Sequence, residues 1–362
     1  MDLSAPYLLN CWYLAAWASE LAPGERIRRV LLAKPVLLMR SAGGAVGAIS
    51  NICPHRFASL SDGHFDADIV ACPYHGLRFD MTGRCVHNPH GDGKIPERAY
   101  VASYPVAERY GAIWIWLGDP KLADPNLIPD FGFLEARSAV VRAGGHLVTR
   151  ANYQLLCDNI LDLSHADFIH GTTLSTEGET ARSQPQSRID GDTVIIKWSF
   201  DGKGIVMNRS TSNPQDVHTE LEVTWHAPGA MILRSESHPI SNVGSSESSV
   251  SGHKRVAAHI MTPETEHTTH YFFDVHDRRQ LERAIQIFES EDGVVLEEIQ
   301  RNMGDKDFWD MAPLILSNDR GGVLARRVLQ RKIRHEQTEL TQTEPQETLE
   351  QDHPEEQESR TR

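Results

Sequence analysis

Along the first third of the chain, short runs rich in Val, Ile and Leu are separated by Gly- and Pro-containing breaks. The runs are Ile27 to Leu32, Val36 to Arg40, Val46 to Ser50 and Ala112 to Leu117. Their length and their turn-forming borders predict the strands of a small β domain. Gly118-Asp119-Pro120 closes the last run, and Pro120, Pro125 and Pro129 stiffen the connection beyond it. A domain boundary is therefore expected at residue 120.

In the rest of the chain the period changes. Tyr153 to Ile169 has helical length, and Thr193 to Phe200, Glu220 to Trp225, Met231 to Ser235 and Val256 to Met261 read as strands. Leu281, Ile285, Phe288, Val295 and Ile299 fall roughly on one stripe, which predicts a long helix from Arg278 to Asn302. The segment Ser235 to Gly252 is serine-rich without apolar periodicity, so a mobile loop between two strands is expected there. The pattern as a whole predicts an α+β chain with a β domain at 1–120, a second domain at 121–335 and a tail at 336–362.

The 362 residues, 40% hydrophobic and 24% charged, can fill two cores. A net charge of -14 argues against a nucleic-acid partner, whose phosphates require surplus Lys and Arg. Much of that charge sits in the acidic tail from Glu336 to Arg362, which is also rich in Gln and Thr. Such a segment buries too little apolar surface to offset its ordering entropy, so disorder is expected from Glu336 onward. No membrane-spanning run and no signal peptide is visible, which leads to the expectation of a cytoplasmic protein.

The five cysteines are an odd number without a secretory signal, which favours metal ligation over disulfides. The strongest signal is Cys53-Pro54-His55-Arg56 with Cys72-Pro73-Tyr74-His75-Gly76. Each segment offers one thiolate and one imidazole. Two cysteines on one iron and two histidines on the other make a Rieske [2Fe-2S] centre. The same donors could form a tetrahedral zinc site, but zinc fingers usually present both cysteines before both histidines. Gly63 and Gly76 are expected to permit tight loop turns. His64, His87 and His90 read as ordinary loop histidines, and Cys11, Cys85 and Cys157 as small buried residues.

A second constellation lies between Asp158 and Gly171. On a continuous helix Asn159, Asp162 and His165 share a face, and His170 falls at the frayed end, where Gly171 lets the chain turn. Two histidines and a carboxylate form the facial triad of mononuclear non-haem Fe(II) oxygenases. Asp292 is the first choice for the carboxylate because the long helix interrupts its apolar stripe with acids there; Glu291 and Glu289 are the alternatives.

With these motifs in place, the sequence resembles the Rieske non-haem iron oxygenases, and within them the vanillate O-demethylase and dicamba monooxygenase branch. The likeness is carried by Cys53 to Phe57, Cys72 to Leu77, Val86 to Pro89, Ile113 to Trp116, Asp162 to His170, His259 to Glu266, and the Glu291-Asp292 pair with the residues after it. It implies a Rieske β domain, then a catalytic domain with a curved antiparallel sheet and flanking helices. It also implies a head-to-tail homotrimer in which Asp162 links His75 of one subunit to His165 of the next. The cofactors implied are one [2Fe-2S] cluster held by Cys53, His55, Cys72 and His75, and one Fe(II) held by His165, His170 and Asp292, with O2 as co-substrate.

The implied reaction is hydroxylation of a small, methoxylated aromatic acid, the methoxy carbon leaving as formaldehyde. Asn159 is expected to hydrogen-bond near the iron. His259 matches a substrate-facing position in the branch, and His259 or Arg283 could meet a ring carboxylate. A ring dihydroxylase and a Rieske electron carrier are the rival readings. No G-x-G-x-x-G dinucleotide fingerprint is visible, so an NAD(P)H-dependent reductase or ferredoxin is the expected partner.

Overall fold

The computed structural model describes residues 7–66, 68–135, 141–206, 216–240 and 253–343. Eleven strands form the N-terminal part: β1 (Trp12–Trp17), β2 (Arg26–Leu31), β3 (Lys34–Arg40), β4 (Val46–Ser50), β5 (His64–Asp66), β6 (Ile69–Ala71), β7 (Arg78–Asp80), β8 (Cys85–His87), β9 (Ser103–Tyr104), β10 (Val106–Arg109) and β11 (Ala112–Trp116). They make three antiparallel sheets, ordered β1-β11-β10, β2-β3-β4-β9 and β5-β6-β7-β8.

The second part is one seven-stranded antiparallel sheet. Its strands are β12 (Ala143–Thr149), β13 (Gln186–Asp190), β14 (Thr193–Gly202), β15 (Val217–His226), β16 (Ala230–Pro239), β17 (His253–Thr265) and β18 (Thr268–Val275), in the order β12-β18-β17-β16-β15-β14-β13. The helices are α1 (Tyr153–Leu161), α2 (Ala166–Ile169), α3 (Glu179–Arg182), α4 (Leu281–Ile287), α5 (Val294–Met303) and α6 (Arg320–Thr343). This is the α+β architecture expected.

Alternation decides which face of the sheet is covered. Val194, Ile196 and Trp198 on β14 and Leu221, Val223 and Trp225 on β15 point inward, while Glu220 and Glu222 point outward. The inward residues pack with Leu156 and Ile160 of α1 and with Ala325, Val328 and Leu329 of α6. Full burial of each such aliphatic side chain contributes about 1.5–3 kcal/mol. Close approach of α6 to α1 requires small residues: a Cβ on Gly322 would lie 2.5 Å from Asp158 Oδ1. Arg326, itself buried, donates to Asp158 Oδ2 from Nε at 2.9 Å and from Nη2 at 2.6 Å, fixing α1 from outside.

The two parts share a core across their seam. Val36, Leu38, Ile113 and Ile115 belong to the same apolar cluster as Trp198 and Trp225. Across the seam Trp17 Nε1 donates to Gly145 O at 2.8 Å and Thr262 Oγ1 to Leu14 O at 2.8 Å. Backbone bonds run from Leu32 N to Pro263 O and from Ala33 N to Glu264 O. A separate cluster containing Leu37, Ile49, Leu60, Val70 and Phe79 supports Cys53 and Cys72.

Several expected elements are corrected. The helix placed over 153–169 breaks at Asp162, which ends α1 and caps a 3-10 turn at Leu163–His165; Asn159, Asp162 and His165 therefore do not share one helix face. Gly171 has no positive φ, and the turn is made at His170, with φ -109° and ψ 34°. The long helix after residue 278 is a 3-10 turn, α4, a π-helical turn at Phe288–Gly293, then α5. Strand β16 runs to Pro239, so Ser235 to Pro239 is sheet; residues 241–252 of the expected loop lie outside the described residues.

The expected disordered tail is also corrected at its start. Helix α6 continues through 336 to Thr343, because Glu336 is buried and accepts hydrogen bonds from Leu9 N at 2.7 Å and Asn10 N at 2.5 Å. Residues 344–362 lie outside the described residues.

Candidate metal centres and active site

The Cys53 and Cys72 loops are built alike. In each, the amide of the fifth residue donates to the cysteine carbonyl, Phe57 N to Cys53 O and Gly76 N to Cys72 O, both at 3.0 Å. In each, the cysteine amide donates to the residue after that, Cys53 N to Ala58 O and Cys72 N to Leu77 O. The fifth residue takes positive φ in both loops, 60° at Phe57 and 72° at Gly76. Gly63 has an ordinary φ of -86° and is required for another reason: a Cβ there would sit 1.7 Å from Ala71 O, in the neighbouring strand.

Both thiols are buried, whereas the His55 and His75 rings reach outward with centroids 4.6 Å apart. That polarity fits a two-iron cluster, with sulfur donors on the inner metal and imidazoles on the outer, solvent-facing one. His90, read from sequence as an ordinary loop residue, donates from Nε2 to His75 O at 2.8 Å and ties the second loop down. Burial pushes the thiol of Cys157 up to about 12 and raises those of Cys11 and Cys85, so these stay protonated packing residues.

In the second part, donor atoms of His165, His170 and Asp292 lie within 4.8 Å of one another. His165 Nε2 is 3.5 Å from Asp292 Oδ1, and His170 Nε2 is 3.2 Å from Asp292 Oδ2. The other ring nitrogens are occupied. His165 Nδ1 donates to the Asp162 carbonyl at 2.5 Å, and His170 Nδ1 to Glu291 Oε2 at 2.5 Å. Those bonds leave each Nε2 lone pair free to face a metal.

Burial disfavours charge on His170, but its bonds to Asp292 and Glu291 outweigh that and raise its pKa; on His165 burial prevails and lowers it. A donor set of two imidazoles and one carboxylate fits non-haem iron.

The three carboxylate candidates are thus separated. Asp292 is buried and faces both imidazoles, Glu291 orients His170 and accepts from Thr173 Oγ1 at 3.2 Å, and Glu289 is exposed. The π turn makes this division, because its wider winding shifts Asp292 onto the inner side. Asn159 Nδ2 donates to Asp292 Oδ1 at 3.0 Å. Asp162 meets His165 through its backbone carbonyl, while its carboxylate accepts from Ser164 N and from Asn318 Nδ2.

A cavity of about 230 Å³ opens onto the triad, walled largely by apolar side chains such as Leu163, Leu174, Ile287 and Phe288. His259 lines it beside Ala257, on the face that strand alternation predicts. Its Nδ1 lies 2.7 Å from the Tyr271 hydroxyl, and burial pushes its pKa down to about 4, leaving a neutral imidazole. Tyr271 and Asn318 had no local signal, and Phe288 showed only as part of the apolar stripe of the expected helix; sheet pairing and chain reversal bring them to the site.

Residues 11–105 match the Rieske [2Fe-2S] domain, and residues 149–335, more than half of the chain, match the vanillate O-demethylase oxygenase C-terminal domain. The chain belongs to the Rieske non-haem iron oxygenases. Among its relatives, the oxygenase component of chloroacetanilide N-alkylformylase from Rhizorhabdus wittichii is 36% identical, over 91% of this chain and 97% of that protein. The oxygenase component of dicamba O-demethylase from Stenotrophomonas maltophilia is also 36% identical, over 90% and 97%. The crystal structure of dicamba monooxygenase with 3,6-dichlorosalicylic acid superposes with a TM-score of 0.80 at 34% identity, covering 91% of this chain and 98% of that one.

This Rieske oxygenase is the oxygenase component of a multicomponent monooxygenase, a class in which a separate reductase typically supplies the electrons. It uses a [2Fe-2S] cluster, a mononuclear non-haem iron and O2. Among the described residues, no helix is long and apolar enough to cross a membrane.

Proposed function

We propose that this oxygenase hydroxylates the O-methyl carbon of a small methoxylated aromatic acid. The cavity carries the reading: an apolar chamber, sized for one aromatic ring, ends at His165, His170 and Asp292. The dicamba and vanillate O-demethylases among its relatives support the reaction class. Cys53, Cys72, His55 and His75 would hold the cluster, and His165, His170 and Asp292 the iron; the two groups would supply the redox chemistry for reducing O2.

The protein's own work is positioning. Leu163, Leu174, Ile287 and Phe288 exclude bulk water and hold the ring, Asn159 orients Asp292, and Glu291 and the Asp162 carbonyl orient the imidazoles. His259, neutral, presents a polar edge to the substrate. The overall balance is ArOCH3 + O2 + 2 e− + 2 H+ → ArOH + CH2O + H2O; hydroxylation gives a hemiacetal, which collapses to phenol and formaldehyde.

The same reading assigns a homotrimer located in the cytoplasm. The outward His55 and His75 rings meet the Asp162 segment of a neighbouring subunit, which gives Asp162 its second role.

The test supplies the purified, iron-loaded protein with a reductase, NADH, O2 and a panel of methoxybenzoates. Equal yields of phenol and formaldehyde are expected. A cis-diol product in place of formaldehyde would transfer the protein to the ring dihydroxylases.

A further inference from the structure

The cavity has two chemically different ends. On β17, Arg255, Val256, Ala257 and His259 line it; on the helical wall, Gln280, Arg283, Ala284, Ile287, Phe288 and Asp292 do the same. Arg255 precedes His259 by four residues, about 13 Å along a strand. Arg283 precedes Asp292 by nine residues, about 13 Å of helical rise. Both elements run toward the triad, so both arginines fall at the end away from it.

The charges lining the cavity do not cancel there. Asp274 is held by Arg142, whose Nε donates to Oδ2 at 2.7 Å, and by the Ala258 amide at 2.5 Å. His276 Nδ1 accepts from Arg142 Nη1 at 3.2 Å, and Asp292 faces the two imidazoles at the opposite end. Among the described residues, no carboxylate lies within ion-pair reach of Arg255 or Arg283. Among the described residues, then, half-buried Arg255 and exposed Arg283 border a chamber of mostly apolar walls with no carboxylate partner of their own. The neutral His259 cannot supply that charge.

We infer that Arg255 and Arg283 form an anion clamp that binds the acid group of the substrate and aims its opposite end at the triad. Planar guanidinium forks suit carboxylate and sulfonate oxygens, and with Arg255 half-buried and Arg283 exposed the clamp lies on the solvent side of the cavity. The substrate class is then an aromatic acid whose anionic group lies across the ring from the reacting carbon. An ortho-disposed acid would leave the clamp out of reach. This rests on the demethylase reading and specifies its substrate.

The test measures binding, anaerobically and by calorimetry, to the iron-loaded protein. The probes are 4-methoxybenzoate and 4-methylanisole, which share a ring and a methoxy group and differ in charge. The wild type is expected to bind the acid at least tenfold more tightly than the neutral compound. In Arg255→Gln/Arg283→Gln the acid should lose at least tenfold in affinity while 4-methylanisole is unchanged, and Arg255→Lys/Arg283→Lys should keep part of the preference.

Equal affinities in the wild type, no binding of either probe, or parallel loss of both in the double variant would each overturn the clamp. Formaldehyde release is scored separately: arginine-dependent acid binding without formaldehyde would sink the demethylase reading and leave the clamp standing.

Discussion

Asn159 Nδ2 donates to Asp292 Oδ1 at 3.0 Å, joining α1 to a π turn 133 residues further along the chain. The bond occupies one carboxylate oxygen, while Oδ2 faces His170 Nε2. It fixes the carboxylate's rotation before any metal arrives.

Asn159→Ala should therefore loosen the iron site without touching the cluster. Loss of such a supporting bond typically costs about 10–100-fold in metal affinity or activity. Iron content should fall from about three per chain toward two on dialysis against a chelator, with the cluster's visible spectrum intact. Iron retention equal to the wild type would show that Asn159 is packing only.

Glu291 and Asp292 are neighbours with different tasks, and paired substitutions separate them. Asp292→Asn should abolish mononuclear iron binding, while Glu291→Gln, which weakens the acceptor for His170 Nδ1, should lower affinity by about tenfold. Competition with a chromogenic chelator reads both. The reverse order of severity would make Glu291 the ligand.

His270 gives an acid-side stability prediction. Its Nε2 donates to Val30 O at 3.0 Å across the seam, and its Nδ1 lies 3.1 Å from His146 Nε2. Burial pushes its pKa down to about 4 from 6.5. The folded state thus keeps the ring neutral, while the unfolded chain binds a proton below pH 6.5. Its stabilising contribution is present above that pH and is lost as pH falls toward 4. At pH 5 the loss amounts to about 2 kcal/mol. Urea unfolding at pH 7 and pH 5 should show a steeper decline for the wild type than for His270→Gln. Parallel declines would place the sensitivity elsewhere.

Glu336 holds the chain just ahead of β1 through the Leu9 and Asn10 amides. Glu336→Ala leaves two amides without their acceptor, at a cost of about 2 kcal/mol, and Glu336→Gln, which keeps one carbonyl oxygen, should fall between. Denaturant midpoints measure it. An unchanged midpoint would mean that water replaces the carboxylate at no cost.

The sequence by itself determined the donor chemistry. Cys53, His55, Cys72, His75, His165 and His170 stood out as candidate ligands because the pairs sit a few residues apart, where local spacing constrains geometry. The strands β14, β15 and β17 were legible for a similar reason: residues such as Glu220 and Glu222 alternate with Leu221 and Val223 at period two. β1 and β18 were not, because most of their residues are buried on both faces and leave no polar alternation to detect.

Only the tertiary structure decided among Glu289, Glu291 and Asp292, since an acidic run is degenerate until a π turn and the Asn159 side-chain amide select one member. It also turned Glu336 from a tail residue into an anchor, and brought Arg255 and Arg283 to the lining of one cavity. Those relations join residues far apart in the chain, and their geometry is set by sheet register and helix packing, which no local pattern encodes.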